Sequence, residues 1–570
     1  MTFPPRTARV LVVLGALAAG VIANRAALHG PLTMDDVAQR AMIEGRLTPR
    51  RNPFNLFDFI ADDNRAALLD RGIIPWWSDP NLVTRFLRPL PSALVWLDHR
   101  LFGYGAVGPH VLSFLWWAAA VIAAHVLYRT VLGRGTALAA TAVFALSPSL
   151  AIPLVWAANR NVIVTLTFGA LALASYARWR DDKRPARGVA TAGAFVATAL
   201  TGEYALCLFG YLIAFEMCRR AESPLRRLIG ALPAALPLVV YAGARMALGY
   251  GAKASGFYRD PIAASGEFLE ALPRVLSALI AASWLGVDVI SPWLASDWLR
   301  AILILGGVVV AVASIWGAQR ERPGLFSGGG AWLACGSLLA LLPLAATEPS
   351  QRLLGVTAIG VGGWVAVLLG EGIRRGGLNL PRVALIGGAA VAAFVHLAAA
   401  PVQTRRLSVE TVDDMLEHLA GFDTVPREAR STDTTVVLRV NEGLPLLSGP
   451  YLLRDEAPRH WRVLSHTYEQ TTAVRISPRS IEVAQESVPL FPIGRNGIVR
   501  TTPFKVGDVT QISGLRATVL RIDQSGVPLA VRYDFDRDLD GPGVAWIAEH
   551  PSGFLSLAPP PVGFGVQLAP

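Results

Sequence analysis

Two adjacent carboxylates, Asp35 and Asp36 in "LTMDDVAQR" (32–40), follow the first apolar run of the chain. A carboxylate at a membrane surface can take a proton from a hydroxyl acceptor; a solvated helix end is the alternative. Other polar residues stand at junctions between apolar runs, where they are expensive and therefore informative. "TGEY" (201–204) sets Glu203 between two short apolar runs. At ~1.5 Å per residue each run reaches ~22 Å, less than the ~30 Å hydrocarbon core, so Glu203 is expected in a recess below the outer surface. A structural pair with an arginine is the alternative. "SPSLAIPLVWAANRN" (147–161) carries Pro148 and Pro153, which are expected to interrupt a helix and set Asn159 and Arg160 at the mouth of a cavity; an ordinary outer loop is the alternative. "RFLRPL" holds Arg85 and Arg88, His110 opens the next helix, and "TEPSQR" holds Glu348 and Arg352. Arginine suits bidentate phosphate binding, with snorkelling to lipid head groups as the alternative. These residues suggest catalytic Asp35 and Asp36, with Arg88, His110, Asn159, Arg160, Glu203 and Arg352 binding substrate. "DFDRDLDG" (534–541) begins like a calcium loop, but Ile547 stands where the closing Glu is required, so a charged turn is expected. The sequence has no His/Cys ligand cluster and no phosphate-cradling glycine motif.

The elements that position these residues follow from hydropathy. The chain has 570 residues, 53% hydrophobic and 16% charged, which excludes an ordinary soluble enzyme. Long apolar runs recur from residue 10 to 400 and then stop. We expect a polytopic α-helical membrane protein with about eleven transmembrane helices, near 8–28, 108–131, 136–156, 161–177, 188–202, 204–218, 228–246, 298–317, 329–346, 352–370 and 382–400. The run from Val10 to Ala23 reads as a retained first helix. The net charge of +10 does not form one patch suited to nucleic acid. Much of it lies in loops of one side: Arg129 and Arg134, Arg178 to Arg187, Arg219 to Arg227 with Arg220, Arg320 and Arg322, and Arg374, Arg375 and Arg382. The positive-inside rule then places the N-terminus in the cytoplasm, and an odd helix count places the tail outside the cytoplasmic membrane. Residues 267–290, with Pro273, Arg274 and Asp288, read as an interfacial or re-entrant helix. The first outer loop (about 30–107) holds "NPFNLFDFI" and "GIIPWWSDP", expected as aromatic stretches and short helices on the outer leaflet. Residues 1–401 form the membrane domain and 402–570 an extracytoplasmic one. The latter opens with a helix at 408–420 capped by Ser408. It then turns β-rich in "TTVVLRV", "TAVRIS", "ATVLRI" and "LAVRYDF", and is expected to fold alone from about residue 430. Three cysteines imply no disulfide framework.

Several short stretches together resemble the C-type (GT-C) integral-membrane glycosyltransferases. They are "MDD" (34–36), "RPL" (88–90), "GPHVLS" (108–113), "ALSP" (145–148), "VWAANR" (155–160) and "GEYAL" (202–206). The resemblance covers about residues 1 to 400. It is closest to bacterial relatives of the protein O-mannosyltransferases, including tetratricopeptide-bearing ones. It implies transfer of a sugar, mannose being one candidate, from a polyprenyl-phosphate donor to a protein or glycan hydroxyl on the outer face. Asp35 matches the family's candidate base. The chain departs from the family at "SPSLAI" (147–152), where relatives carry two histidines and an acid, at Gly202, where they carry lysine, and at Trp117, where they carry histidine. These departures bear on metal use and acceptor choice: no cofactor is expected, with a divalent cation left open. A lipid-linked glycan flippase and a catalytically degenerate scaffold are the alternative functions.

Overall fold

The computed structural model describes the chain except for residues 1–5, 48, 220–221, 262–263, 288–296, 325–327, 375–376, 442–448, 450, 452, 454–455, 495–496 and 569–570. Arg220, Asp288 and Arg375 of the charge reading thus lie outside the described residues. Helix α1 (Arg6–Ala23) leads into a loop that carries three short helices, α2 (Asp35–Ile43), α3 (Arg65–Arg71) and α4 (Pro89–Phe102). The apolar bundle follows with α5 (Val107–Val131), α6 (Arg134–Ala145), α7 (Ala151–Val155), α8 (Asn161–Asp182), α9 (Pro185–Ala199), α10 (Leu208–Cys218) and α11 (Pro224–Ala247). It continues with α12 (Ser265–Trp284), α13 (Asp297–Glu321), α14 (Gly329–Leu339), α15 (Leu341–Leu344), α16 (Gly355–Gly372) and α17 (Leu380–Ala393).

Each of the eleven expected spans overlies a helix, but the figure of eleven crossings is not matched by length. Six described helices are long and apolar enough to cross a membrane, or seven if α6 and the segment Pro148–Val155 count as one span bent by 50°. That bend falls at Pro148, which cannot donate to the ladder. The stretches at Val10–Ala23 and Gly329–Leu344 are apolar but shorter. Helix α12 is not among the six.

The expected boundary helix is corrected. No cap at Ser408 begins it: α18 (Ala400–Asp423) continues directly from α17 through a π-helical turn at Phe394–Ala399. Pro401, which has no N–H to give, sits in the first turn of α18, just past the wider turn. Nothing between 402 and 423 breaks the helix, so Ser408 is buried mid-helix. The last apolar helix therefore runs into the tail as one continuous helical path, Leu380–Asp423.

After α19 (Arg427–Ser431) the tail is β-rich, as its alternating runs predict. We number its strands after three short loop strands, β1 (Asp58–Ile60), β2 (Val83–Arg85) and β3 (Gly251–Lys253), which pair antiparallel in that order. The tail strands are β4 (Thr434–Val437), β5 (His460–Val463), β6 (Thr471–Ser477), β7 (Ser480–Ala484), β8 (Val509–Ile512), β9 (Leu515–Ile522), β10 (Pro528–Phe535), β11 (Val544–His550), β12 (Gly553–Leu557) and β13 (Gly565–Leu568). One sheet runs β13-β6-β7-β10-β9-β8, antiparallel throughout; the other runs β12-β11-β4-β5, with β4 parallel to both neighbours. The calcium-like stretch is a charged turn: Arg479 pairs with Asp538 at 2.9 Å and Arg475 with Asp540 at 2.9 Å.

The aromatic loop is also corrected. Trp76 and Trp77 do not lie on a leaflet; both are buried in the tail's core. Trp77 stacks on Phe491 with ring centres 4.2 Å apart and 6° between planes, and Trp76 meets Phe491 and Tyr533 edge-on at 5.3 and 5.5 Å. Two large indoles bury more area against a β-sandwich core than a half-wet interface permits. The C-terminal end of α3 is fastened beside them. Arg462 donates to the Leu69 and Asp70 carbonyls at 3.2 and 2.7 Å, and His460 Nδ1 lies 2.9 Å from the Asp70 carbonyl. Gly72 ends α3 at φ +74°, and a Cβ there would stand 1.7 Å from the Trp461 carbonyl oxygen. A left-handed turn and a close approach both demand glycine. The tail core thus includes Trp76, Trp77 and Leu82 of the loop, together with Phe422, Val425 and Ala429, so a fragment from residue 430 lacks part of it.

Candidate functional site

Asp35 and Asp36 form the first turn of α2, where the helix dipole favours negative charge. The residue before them, Met34, is held at φ +48° and ψ −120°. A non-glycine residue in such a conformation costs ~1–3 kcal/mol and persists only where the surroundings impose it. The two carboxylates then part ways. Asp36 is buried and tied: Oδ1 accepts the Ala158 N–H at 2.6 Å and Oδ2 the Thr33 N–H at 3.3 Å. It pins the start of α2 to the broken helix at Ala157–Arg160. Asp35 is half-buried, and among the described residues its carboxylate takes no hydrogen bond. It lies in the field of Arg352 and Arg88.

Burial raises both carboxyls. For Asp36 burial and the neighbouring Asp35 charge push the pKa up to about 7, against the opposing pull of the Thr33 and Ala158 amides and of Arg160. For Asp35 burial pushes upward while Arg352 and then Arg88 pull downward, with a net rise. A carboxylate moved toward neutrality is a better proton acceptor at physiological pH.

Arg88 comes from the junction of β2 and α4, stacked between Phe86 and Phe57 with its Cζ 4.5 and 4.9 Å from the ring centres. Its Nε donates to Glu203 at 3.0 Å. Burial works most strongly against the Arg88 charge, but Glu203, Tyr204 and Tyr258 together outweigh it and hold the guanidinium above its ordinary range. Glu203 itself begins the 3-10 turn Glu203–Cys207 between α9 and α10, and also accepts the Leu87 N–H at 3.2 Å and approaches Arg245 at 3.7 Å. The arginine-paired alternative for Glu203 is thus realised, in the site itself. Gly202 sits at φ +116°, and a Cβ there would come within 2.6 Å of Arg88 Cγ. The lysine of the family pattern does not fit this position.

Arg352 lies in the turn Gln351–Leu354 that opens α16, with Cζ 5.1 Å from the Trp156 ring and 5.8 Å from Phe257. It is half-buried, and among the described residues it has no carboxylate within 4 Å. A strand-like contact between Tyr258 and Thr347 holds the 257–259 segment beside this turn. Asp35, Arg88, Glu203 and Arg352, from four distant parts of the chain, therefore converge. Each is half-buried.

Other predicted residues sit elsewhere. Arg160 is not at a mouth; it is buried and paired with Asp98 of α4. Asn159 is buried beside it, and among the described residues its amide nitrogen has no hydrogen-bond partner. His110 is buried at the start of α5, Nδ1 3.3 Å from the Leu154 carbonyl, under Gly30. Arg85 is spent on Asp58 at 2.7 Å, and Glu348 on Arg259 and, at 3.2 Å, Arg274. Sequence reasoning missed Asp98, Arg245 and Tyr258. Asp98 was signalled by an acid inside the apolar "ALVWLDHRLF"; Arg245 and Tyr258 carried no local signal. Among the described residues no three His, Cys, Asp or Glu side chains gather to hold a metal ion.

No protein-family model and no curated protein matches the chain. Among solved structures it is similar to the apo oligosaccharyltransferase of Archaeoglobus fulgidus, at 12% identity and TM-score 0.42, over 80% of this chain and 64% of that one. It is also similar to ArnT from Cupriavidus metallidurans bound to undecaprenyl phosphate, at 14% identity and TM-score 0.40, over 79% and 85%. The chain thus spans less than two thirds of the oligosaccharyltransferase. Likeness at this level assigns no role to any residue.

Proposed function

We propose that the chain is a membrane glycosyltransferase of the GT-C type. It moves a sugar from a polyprenyl-phosphate donor to a hydroxyl acceptor, protein or glycan. What carries this reading is an unbonded carboxylate, Asp35, facing a guanidinium without a carboxylate partner, Arg352. Asp35 takes the acceptor proton as the acceptor oxygen bonds to the sugar's anomeric carbon. The bond from that carbon to the phosphate oxygen breaks, and its electron pair leaves on the phosphate. Arg352 and Arg88 stabilise the departing charge, and Glu203 orients Arg88. Mannose is the first sugar to test. The site lies on the face that carries the tail, because the same loop holds Asp35 and the docked Trp77. The basic loops on the opposite side support an extracytoplasmic placement of that face. The test is incubation of purified full-length protein with defined polyprenyl-phosphate sugars and an acceptor extract, with analysis of released polyprenyl phosphate. Release that requires acceptor and Asp35 supports the reading; no release with any donor sinks it in favour of a scaffold.

A further inference from the structure

The outer loop carries a second concavity, away from Asp35. Helix α2 ends at Ile43, ~12 Å along its axis from Asp35 at ~1.5 Å per residue. There Ile43, Arg50, Asn52, Pro53, Leu56 and Trp96 line an open pocket of about 300 Å³. Its charge is one-sided. Arg51, also in the wall, is neutralised by Asp63 at 2.7 Å and by Asp58 at 3.6 Å. Arg50 is exposed and, among the described residues, meets no carboxylate within 4 Å. Arg100 lies over the Trp96 indole, 5.2 Å from the ring centre. Among the described residues no acid lines the pocket.

Its position is equally specific. Arg40 of α2 donates to the Gly103 carbonyl at 2.7 Å, four residues before α5, a helix long and apolar enough to cross a membrane. The far ends of α2 and α4 therefore rest at the mouth of a span. Beside the Trp96/Arg100 face, α4 presents Leu97 and Leu101, 41% and 61% exposed, and Phe54 next to Pro53 is 61% exposed. An apolar strip beside cations at a span's entrance matches the boundary between head groups and acyl chains.

We propose that this pocket binds the head group of an anionic phospholipid from the leaflet facing the loop. Arg50 and Arg100 hold the phosphate, while Trp96, Leu97, Leu101 and Phe54 cover the glycerol and upper acyl chains. The proposal does not depend on sugar transfer. The experiment is native mass spectrometry of the full-length protein from neutral-detergent micelles containing equal phosphatidylglycerol and phosphatidylcholine. Wild type should retain one more phosphatidylglycerol than Arg50→Gln or Arg100→Gln, with occupancy of that lipid falling about tenfold. Arg50→Lys should keep most of it, phosphatidylcholine should not replace it, and millimolar inorganic phosphate should not displace it. Equal retention by wild type and both glutamine variants overturns the proposal. So does replacement by phosphatidylcholine, and so does displacement by inorganic phosphate, which would mark a site for free anions. Unchanged thermal melts of the variants separate a lost site from a lost fold.

Discussion

Around Trp77 the loop that follows α1 meets the tail in a dry, closed contact, with indoles stacked in a sheet core and Arg462 donating to carbonyls near the end of α3. Around Asp35 the same loop meets the helical bundle in a half-open contact, where Asp35 has no hydrogen bond among the described residues and Arg352 no carboxylate. The first contact spends its polar groups on structure; the second leaves them available to a ligand. Asp36 and Arg160 show that the difference is not one of residue type. An aspartate and an arginine within reach of the recess are consumed by Ala158 and Asp98.

If the contrast is right, variants at the two contacts fail in different ways. Trp77→Ala should have the largest effect, destabilising the tail by about 3–5 kcal/mol, the usual cost of emptying a buried aromatic site. Chemical denaturation of the full chain, followed by tail tryptophan fluorescence, measures it. An unchanged midpoint would mean that the loop merely rests on the tail.

Asp35→Asn should leave that midpoint alone and cut turnover by ~10²-fold or more. Wild-type turnover in this variant would return Asp35 to the status of a solvated helix end. Arg352→Ala should come next, weakening binding of the polyprenyl-phosphate donor about tenfold through loss of one charge-assisted contact, with little change in stability. A stability loss with donor binding intact would place Arg352 among the structural arginines.

Asp36 should make stability depend on pH. Its carboxyl titrates near 7 when folded and near the ordinary value of 3.8 when unfolded, so the folded state holds the proton more tightly. Its contribution to stability is fully present below the unfolded value and is lost as pH rises toward about 7. Asp36→Asn removes that titration. Thermal melts between pH 4 and 7.5 should show the variant gaining on wild type as pH rises. A constant difference across the range would mean that Asp36 is ionised throughout.

Local pattern made much of the site legible. Asp35, Arg88, Glu203 and Arg352 were visible because a polar residue at a junction of apolar runs has few reasons to be there. The same rule named Arg160 and His110, which it could not separate from the others, because only a partner's position tells a committed arginine from an available one. Asp98, which commits Arg160, lies 62 residues earlier in the chain.

The sequence by itself determined the class of the molecule: apolar runs of helical length, a break at Pro148, and alternating strands beyond residue 430. Those are properties of backbone chemistry and of hydropathy read over short windows. Only the tertiary structure decided where the loop goes. A tryptophan pair is equally at home at a bilayer surface and in a protein core, and the choice rests on whether a complementary surface exists nearby. Phe491 and Tyr533, more than 400 residues downstream, supply that surface. Which charges are satisfied was decided in the same way, because Coulombic and hydrogen-bond energies depend on distance in space and not along the chain.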